Sequence, residues 1–259
     1  MEPQEPFVDI HCHILCGMDN GAVDMGQSLA MARMAAADGI RTVIATPHQL
    51  GAYSHNTAEA IRSRASQLHR LLVEQSIRLE VLPGAELRME HELVERIKAG
   101  DVLTLADRAR HVLLELPHEM QLPVERLLED LARAGLVPIL SHPERNLGLL
   151  ENPQIVSRLV SSGCLMQVTA ASLVGGFGHS VKRFAERLVA RGLVHFVATD
   201  AHSITSRRPL MRRAFERLAL LAGLETAHEL CCRNPLRVSL GEEVPRGLGS
   251  SRLLTRRAG

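Results

Sequence analysis

Six short apolar runs in this chain each lead into residues able to bind a metal. Phe7-Val8-Asp9-Ile10 delivers His11 and His13. Val43-Ile44-Ala45-Thr46 leads past Pro47 to His48, and Val81-Leu82 leads past Gly84-Ala85 to Glu86. Val112-Leu113-Leu114 ends at Glu115, Pro138-Ile139-Leu140-Ser141 at His142, and Phe196-Val197-Ala198-Thr199 at Asp200 and His202. Such runs, bounded by polar residues, read as buried strands. If the strands are parallel and close into a barrel, their carboxyl ends meet on one face. The pattern therefore predicts a polymetal site, which is an enzyme's layout.

Segments with helical spacing lie between the runs: Ser28 to Ala37, Thr57 to Glu74, Met89 to Lys98, Pro123 to Ala134, Pro153 to Ser161, Ser180 to Arg191 and Pro209 to Leu221. In the second of these, Ala58, Ile61, Ala65, Leu68, Leu71 and Leu72 follow a 3.6-residue period. Three segments begin with proline, which suits a first helical turn. Gly39, Gly100, Gly135, Gly163, Gly192 and Gly223 follow helices, where glycine is favoured. With a further strand at Leu165 to Thr169, about seven strand–helix units result. The expectation is an α/β fold in one domain over residues 1–240, of a length normal for a single α/β barrel. Residues 241–259 lose periodicity and carry Arg246, Arg252, Arg256 and Arg257, which reads as a flexible basic tail.

Composition narrows the function. Aromatic residues make up only 2% of the 259 positions, with no Trp and the single tyrosine Tyr53. That argues against stacking platforms for nucleic acid. A net charge of +1 gives no whole-chain field for a polyanion. No apolar run approaches the roughly 18–20 residues of a membrane span. The N-terminal residues do not resemble a signal peptide, and five cysteines without a C-x-x-C pair suggest neither disulfides nor a zinc ribbon. A cytoplasmic location is expected; the oligomeric state is open.

Residues i and i+2 of a strand point to one side, so His11 and His13 can reach one ion. Imidazole and carboxylate ligands without thiolate suit Mn²⁺, Fe²⁺ or Zn²⁺. Several carboxylates allow bridging between two or more ions. Glu86, Glu115 and Asp200 bring three negative charges against the four or six of two or three divalent ions. The site is then net positive and attracts an anion such as a phosphate ester. Arg145, three residues after His142, and Arg207, five after His202, can present planar donor forks to phosphoryl oxygens. They can equally be solvated or salt-bridged. His55, His69, His91, His111, His118, His179, His195 and His228 lack the strand-end placement and read as structural.

At these positions the chain resembles the PHP (polymerase and histidinol phosphatase) family of hydrolases. The resemblance is carried by Phe7 to Leu15 with Met18-Asp19-Asn20-Gly21, by Gly39 to His48, and by Leu82 to Glu86. Pro138 to Asn146, Ser172 to Gly178 and Val197 to His202 extend it in register over about residues 7–240. More narrowly, it is similar to the manganese-dependent bacterial tyrosine phosphatases of capsule and exopolysaccharide operons.

The resemblance implies a distorted (β/α)7 barrel of the PHP type with a trinuclear, most simply Mn²⁺, centre. His11, His13, Glu86 and Asp200 would hold one ion. Glu86 would bridge to a second, shared with Glu115 and His142. His48 and His202 would hold a third with a residue of the Asp-Gly turn, and Arg145 and Arg207 would clamp the phosphate. The family has Asp-Asp-Gly where this chain has Asp19-Asn20-Gly21. Either Asn20 is then a weaker, neutral ligand or Asp19 substitutes for it. The implied partner is a phosphotyrosine protein, the tail of a bacterial tyrosine kinase that controls polysaccharide synthesis.

Other readings remain open from the sequence. One is a small-molecule phosphoesterase such as histidinol-phosphatase. An amidohydrolase would favour a strand-end lysine, but the two lysines, Lys98 and Lys182, fall in expected helices. A catalytically impaired phosphotyrosine-binding homologue is favoured only by Asn20. Cys231-Cys232-Arg233-Asn234-Pro235-Leu236-Arg237 has the C-x5-R spacing of cysteine phosphatases, yet lacks the glycines of a phosphate-cradling loop. Its Asn-Pro reads instead as the start of a short terminal helix. The loop containing Gly176 and Gly178 can cradle phosphate or form a lid, and Tyr53 can cap a phenyl ring or lie on the surface.

Overall fold

The computed structural model describes residues 5–90, 92–116 and 124–245. His91, His118, Pro123, Arg246, Arg252, Arg256 and Arg257 lie outside these residues. Strands and helices alternate. The first half comprises β1 (Phe7–Cys12), α1 (Met25–Asp38), β2 (Ile40–Ala45), β3 (His48–Gln49), α2 (Ala58–Glu74), β4 (Glu80–Pro83), β5 (Glu86–Arg88), α3 (Leu93–Ala99) and β6 (His111–Glu115). There follow α4 (Val124–Arg133), β7 (Val137–Ser141), α5 (Leu147–Glu151), α6 (Gln154–Ser161), β8 (Leu165–Thr169), α7 (Ala170–Leu173) and α8 (His179–Ala190). The last elements are β9 (Phe196–Ala198), α9 (Arg212–Ala222), α10 (Leu224–His228) and α11 (Asn234–Leu240).

Local chemistry explains the helix bounds. Thr57 caps α2 by accepting from Ala60 N at 3.1 Å, and Ala58, Ile61, Ala65, Leu68 and Leu72 form its buried stripe. Pro153 stands at the N-cap of α6 rather than inside its first turn. Pro209 lies ahead of α9 instead of opening it. That helix starts where the Asp38 carboxylate, at the end of α1, accepts from Arg212 N at 2.8 Å.

Among the described residues nine strands form where seven were expected, because two of the runs are broken. Pro47 has no N–H to donate and interrupts the ladder between β2 and β3; Gly84-Ala85 separates β4 from β5. Pairing is accordingly divided between two open parallel sheets, in the orders β1-β2-β4 and β3-β5-β6-β7-β8-β9. The closed seven-stranded ring expected from sequence is not formed by these ladders. Register nevertheless continues across the breaks, Ala45 opposite Pro83 and then His48 opposite Glu86. β1 and the segment after β9 meet at an isolated parallel bridge, Cys12 to Ala201. There His13 N donates to Ala201 O at 2.8 Å and Asp200 N to His11 O at 2.7 Å.

Both faces of the strands are covered, which is why the runs are almost continuously apolar. One cluster, including Phe7, Met31, Leu68, Leu72, Met166 and Phe184, lies between strands and helices. A second takes Val8, Ile10, Ile44, Leu113, Ile139, Leu165, Phe196 and Ala198 from six strands, together with Val238 and Val244. Val244 is 4% exposed, so the first residues of the expected tail pack into the core. The α11 segment approaches from the amino ends of the strands, where Asn234 Nδ2 donates to His195 O at 3.1 Å. The carboxyl ends are left to polar side chains.

Candidate metal centre

His11 lies in β1 and His13 directly follows it, both 0% exposed. His48 opens β3, Glu86 opens β5 and Glu115 closes β6, while His142 follows β7 and Asp200 and His202 follow β9. His142 (φ 34°), Asp200 (φ 49°) and Arg207 (φ 49°) have left-handed backbones although none is glycine. Each costs about 1–3 kcal/mol, and such residues persist where the surrounding structure fixes them.

These side chains converge. Nε2 of His11 lies 3.2 Å from Nε2 of His13, 3.4 Å from Glu86 Oε2 and 3.3 Å from Asp200 Oδ1. His13 Nε2 is 3.6 Å from the same Glu86 oxygen and 3.5 Å from the same Asp200 oxygen. Glu86 also meets His48 Nδ1 at 3.2 Å and His142 Nε2 at 3.2 Å, and His142 is 3.8 Å from Glu115 Oε1. Three sets have ligand atoms within 4.8 Å of one another: His11, His13 and Asp200; His13, His48 and His202; and His48, Glu86 and Glu115.

The donor chemistry of this cluster fits metal ions. Nδ1 of His11 faces Gln167 Oε1 at 2.8 Å, and Nδ1 of His13 faces Asp19 Oδ2 at 2.6 Å. Carboxylate and amide oxygens accept, so both Nδ1 atoms carry protons and both Nε2 atoms are the ones turned to the cluster, where each can ligate once it gives up any proton. Two imidazole nitrogens and two carboxylate oxygens thus face one small space, an arrangement that a metal cation suits in exchange for a proton.

Titration behaviour follows the same geometry. Burial disfavours charge on His13, but Asp19, Asp200 and Glu86 together raise its pKa well above the ordinary value. Burial works against an ionised Glu86, yet the imidazoles of His11, His13 and His142 hold its carboxyl well below the usual range. Asp200 behaves likewise under His11, His13, Arg145 and His142. Burial, followed by the charges of His13 and Arg207, pushes His202 down to about 3, which leaves it neutral and able to ligate.

Arg145 Nη2 reaches Asp200 Oδ2 at 2.8 Å, and Arg207 pairs with the same carboxylate oxygen. Arg207 Nη1 also lies 2.9 Å from His202 Nε2. Two guanidinium groups therefore border the cluster where an anion can be received.

The expected grouping changes in detail. Asn20 is exposed and belongs to none of the three sets, whereas the Asp19 side chain turns inward. Asp19 Oδ2 accepts from His48 N at 2.9 Å and Oδ1 from Gly21 N at 2.8 Å. Both side-chain oxygens are thus spent on shaping the turn and fixing His13. Tyr53 stacks on His48 with centroids 5.2 Å apart. The N–H groups of Gly176 and Gly178 are taken by Ala171 O at 2.8 Å and Gly175 O at 3.1 Å, so they are not turned to a phosphate.

Cys231 is 0% exposed, and its thiol is pushed well above the usual range by burial first and then by Cys232 and Asp9. It precedes α11 at the opposite end of the strands from His202. The terminal helix does start at Asn234-Pro235. Among the described residues, His69, His111, His179, His195 and His228 take no part in the ligand sets.

Gln167 was not singled out from sequence. A glutamine buried at 0% exposure in the apolar strand Leu165–Thr169 was the available signal. Glu144 was also missed. Buried at 0% exposure, its Oε1 accepts from Thr169 N at 2.9 Å and Ser172 Oγ at 2.6 Å, which anchors the turn carrying Arg145.

The fold and site define an α/β protein of parallel strands with clustered candidate metal ligands at the strand ends. Residues 7–239 match the family described as capsular polysaccharide synthesis, CpsB/CapC, and the chain belongs to that family. It is 43% identical over 203 residues to the tyrosine-protein phosphatase YwqE of Bacillus subtilis, covering 78% of this chain and 79% of the relative. The putative tyrosine-protein phosphatase CapC of Staphylococcus aureus is 31% identical over 220 residues, 85% and 86% of the two chains. A crystal structure from work on YwqE of Bacillus subtilis and CpsB of Streptococcus pneumoniae, described as unique metal-dependent tyrosine phosphatases, superposes with a TM-score of 0.87. It is 38% identical and covers 92% of this chain and 96% of the other.

Proposed function

We propose that this chain is a metal-dependent, cysteine-independent protein-tyrosine phosphatase. The observation that carries the reading is the convergence of His11, His13, Glu86 and Asp200 beside Arg145 and Arg207. The ligand assignment is His11, His13, Glu86 and Asp200 for one ion, Glu86, Glu115 and His142 for a second, and His48 with His202 for a third. Manganese is the favoured metal, with Fe²⁺ or Zn²⁺ as alternatives. A single PHP-type distorted barrel over residues 1–240 is supported by the continuous register and the Cys12–Ala201 bridge.

Divalent ions held by these residues would supply Lewis acidity and would lower the pKa of a bound water. The protein's own groups do the rest. Arg145 and Arg207 exchange part of their pairing with Asp200 for the phosphoryl oxygens and neutralise charge that grows in the transition state. Gln167 and Asp19 keep the His11 and His13 lone pairs aimed inward. A tyrosine phenolate is a good leaving group, so little general-acid assistance is needed. The substrate is a phosphotyrosine protein, the tail of a tyrosine kinase that governs capsule or exopolysaccharide assembly, as the family membership supports. Among the described residues no helix is long and apolar enough to cross a membrane. We place the protein in the cytoplasm, where five unpaired cysteines suit a reducing compartment.

The test is phosphate release from a phosphotyrosine peptide with Mn²⁺ and then with EDTA, beside a phosphoserine peptide and histidinol phosphate. Mn²⁺-dependent release confined to phosphotyrosine supports the proposal. Release only from histidinol phosphate makes the chain a small-molecule phosphoesterase. No release from a metal-loaded protein that still binds phosphotyrosine makes it a binding homologue.

A further inference from the structure

Four of the five phenylalanines, Phe7, Phe184, Phe196 and Phe215, are 0–2% exposed and lie in the core. The fifth, Phe177, is only partly buried and packs with neither apolar cluster. Its ring lies instead under a catalytic candidate, with Arg145 Cζ 4.8 Å from the ring centroid. That is inside the roughly 6 Å at which a guanidinium is attracted to an aromatic face.

The surrounding chain is built to put the ring there. Gly176 N donates to Ala171 O at 2.8 Å and Gly178 N to Gly175 O at 3.1 Å, which closes the loop between α7 and α8 on itself. A Cβ at Gly176 would lie 3.1 Å from both Ala171 Cβ and Ala171 O, and Gly178 has φ +89°. Both positions therefore favour glycine for the sake of the turn that carries Phe177. Glu144, beside Arg145, ties the arginine's own turn to Thr169 and Ser172 at the root of the same loop. Arg145 is thus fixed at its backbone through Glu144, while its guanidinium lies between the Asp200 carboxylate at 2.8 Å and the ring, which remains in contact when phosphate replaces part of the Asp200 pairing.

Arg145 has four side-chain torsions to restrain, and its site is 18% exposed. Arg207 pairs with the same Asp200 oxygen and lies 2.9 Å from His202 Nε2. We propose that Phe177 is a positioning residue for phosphate binding: its ring holds the Arg145 guanidinium at the anion site. The inference rests on the reading that Arg145 binds the phosphoryl group.

The experiment is calorimetric titration of inorganic phosphate into the Mn²⁺-loaded protein. Phosphate has no aryl group, so its Kd does not register a ring that merely packs on substrate. Phe177→Ala and Phe177→Leu should each raise Kd about 3- to 10-fold, and Phe177→Tyr should keep it near wild type. Leucine preserves apolar volume without an aromatic face, which separates the interaction from simple packing. In an Arg145→Ala background, removing the ring should have no further effect. Phosphate affinity unchanged by Phe177→Ala, while Arg145→Ala weakens it, overturns the role of Phe177 alone. A full Phe177→Ala effect persisting without Arg145 overturns it as well. Affinity unchanged by Arg145→Ala removes both the clamp and the inference built on it.

Discussion

The Asp19 carboxylate lies 2.6 Å from Nδ1 of His13, on the side of the ring away from Glu86 and Asp200. A carboxylate there fixes the imidazole's tautomer and orientation and strengthens the opposite nitrogen as a ligand. Burial opposes ionisation of Asp19, but His13 and the N–H groups of His48 and Gly21 lower its pKa to about 2. It is therefore charged throughout the neutral range. In the Asp19-Asn20-Gly21 turn, Asp19 bears on the candidate ligand cluster through His13, while Asn20 is exposed.

Asp19→Asn should accordingly weaken Mn²⁺ binding about 10- to 100-fold. Asn20→Ala should leave it near wild type. Titration of Mn²⁺ into chelator-stripped protein measures both. The reverse ranking would return the ligand role to Asn20.

Gln167 Oε1 performs the same service for His11, at 2.8 Å from Nδ1. Gln167→Met keeps the side chain's length but cannot accept that proton. Mn²⁺ affinity should fall about 10- to 100-fold, and the visible absorption of the Co²⁺-loaded protein should change shape. An unaltered Co²⁺ spectrum with full affinity would show that the ring is held by other contacts.

Cys231 is buried with its thiol pushed up, whereas nucleophilic cysteines are accessible thiolates. Phosphatase activity should survive Cys231→Ser and iodoacetamide, and should be abolished by chelation. A rate loss of about 100-fold or more in a folded Cys231→Ser protein would contradict a metal-only mechanism.

His111, at the start of β6, is 1% exposed, and neither ring nitrogen has a hydrogen-bond partner. Burial first, and Arg110 second, push its pKa down to about 4. Because the folded value lies below the unfolded one of about 6.5, folding favours the neutral ring. The stability this represents is complete above pH 6.5 and is lost as pH falls toward 4, to a limit of about 3 kcal/mol. His111→Leu should flatten the decline of Tm for the metal-free protein over that interval. Equal acid slopes in the two proteins would refute the assignment.

The strand-end residues His11, His13, His48, Glu86, Glu115, His142, Asp200 and His202 were legible in the sequence because each follows an apolar run. Strand polarity then gives them a common end. The helices were legible for the same reason, as in the stripe of Ala58, Ile61, Ala65, Leu68 and Leu72. Periodicity reports which face of an element is buried, and that is a local property.

Relations between elements were not legible. Pro47 and Gly84-Ala85 divide the ladder into two sheets, and whether such breaks end a sheet or merely bend it depends on neighbouring strands. That the Asp19 side chain and not that of Asn20 turns inward depends on His13 and His48 N standing beside the turn. The roles of Gln167, Glu144 and Phe177 depend on partners 156, 25 or 28, and 32 residues away in the chain, respectively. The sequence alone determined which residues are delivered to the carboxyl ends of the strands. Only the tertiary structure decided which ring nitrogen faces inward and what holds each charged group, because those choices come from contacts between segments that no local pattern encodes.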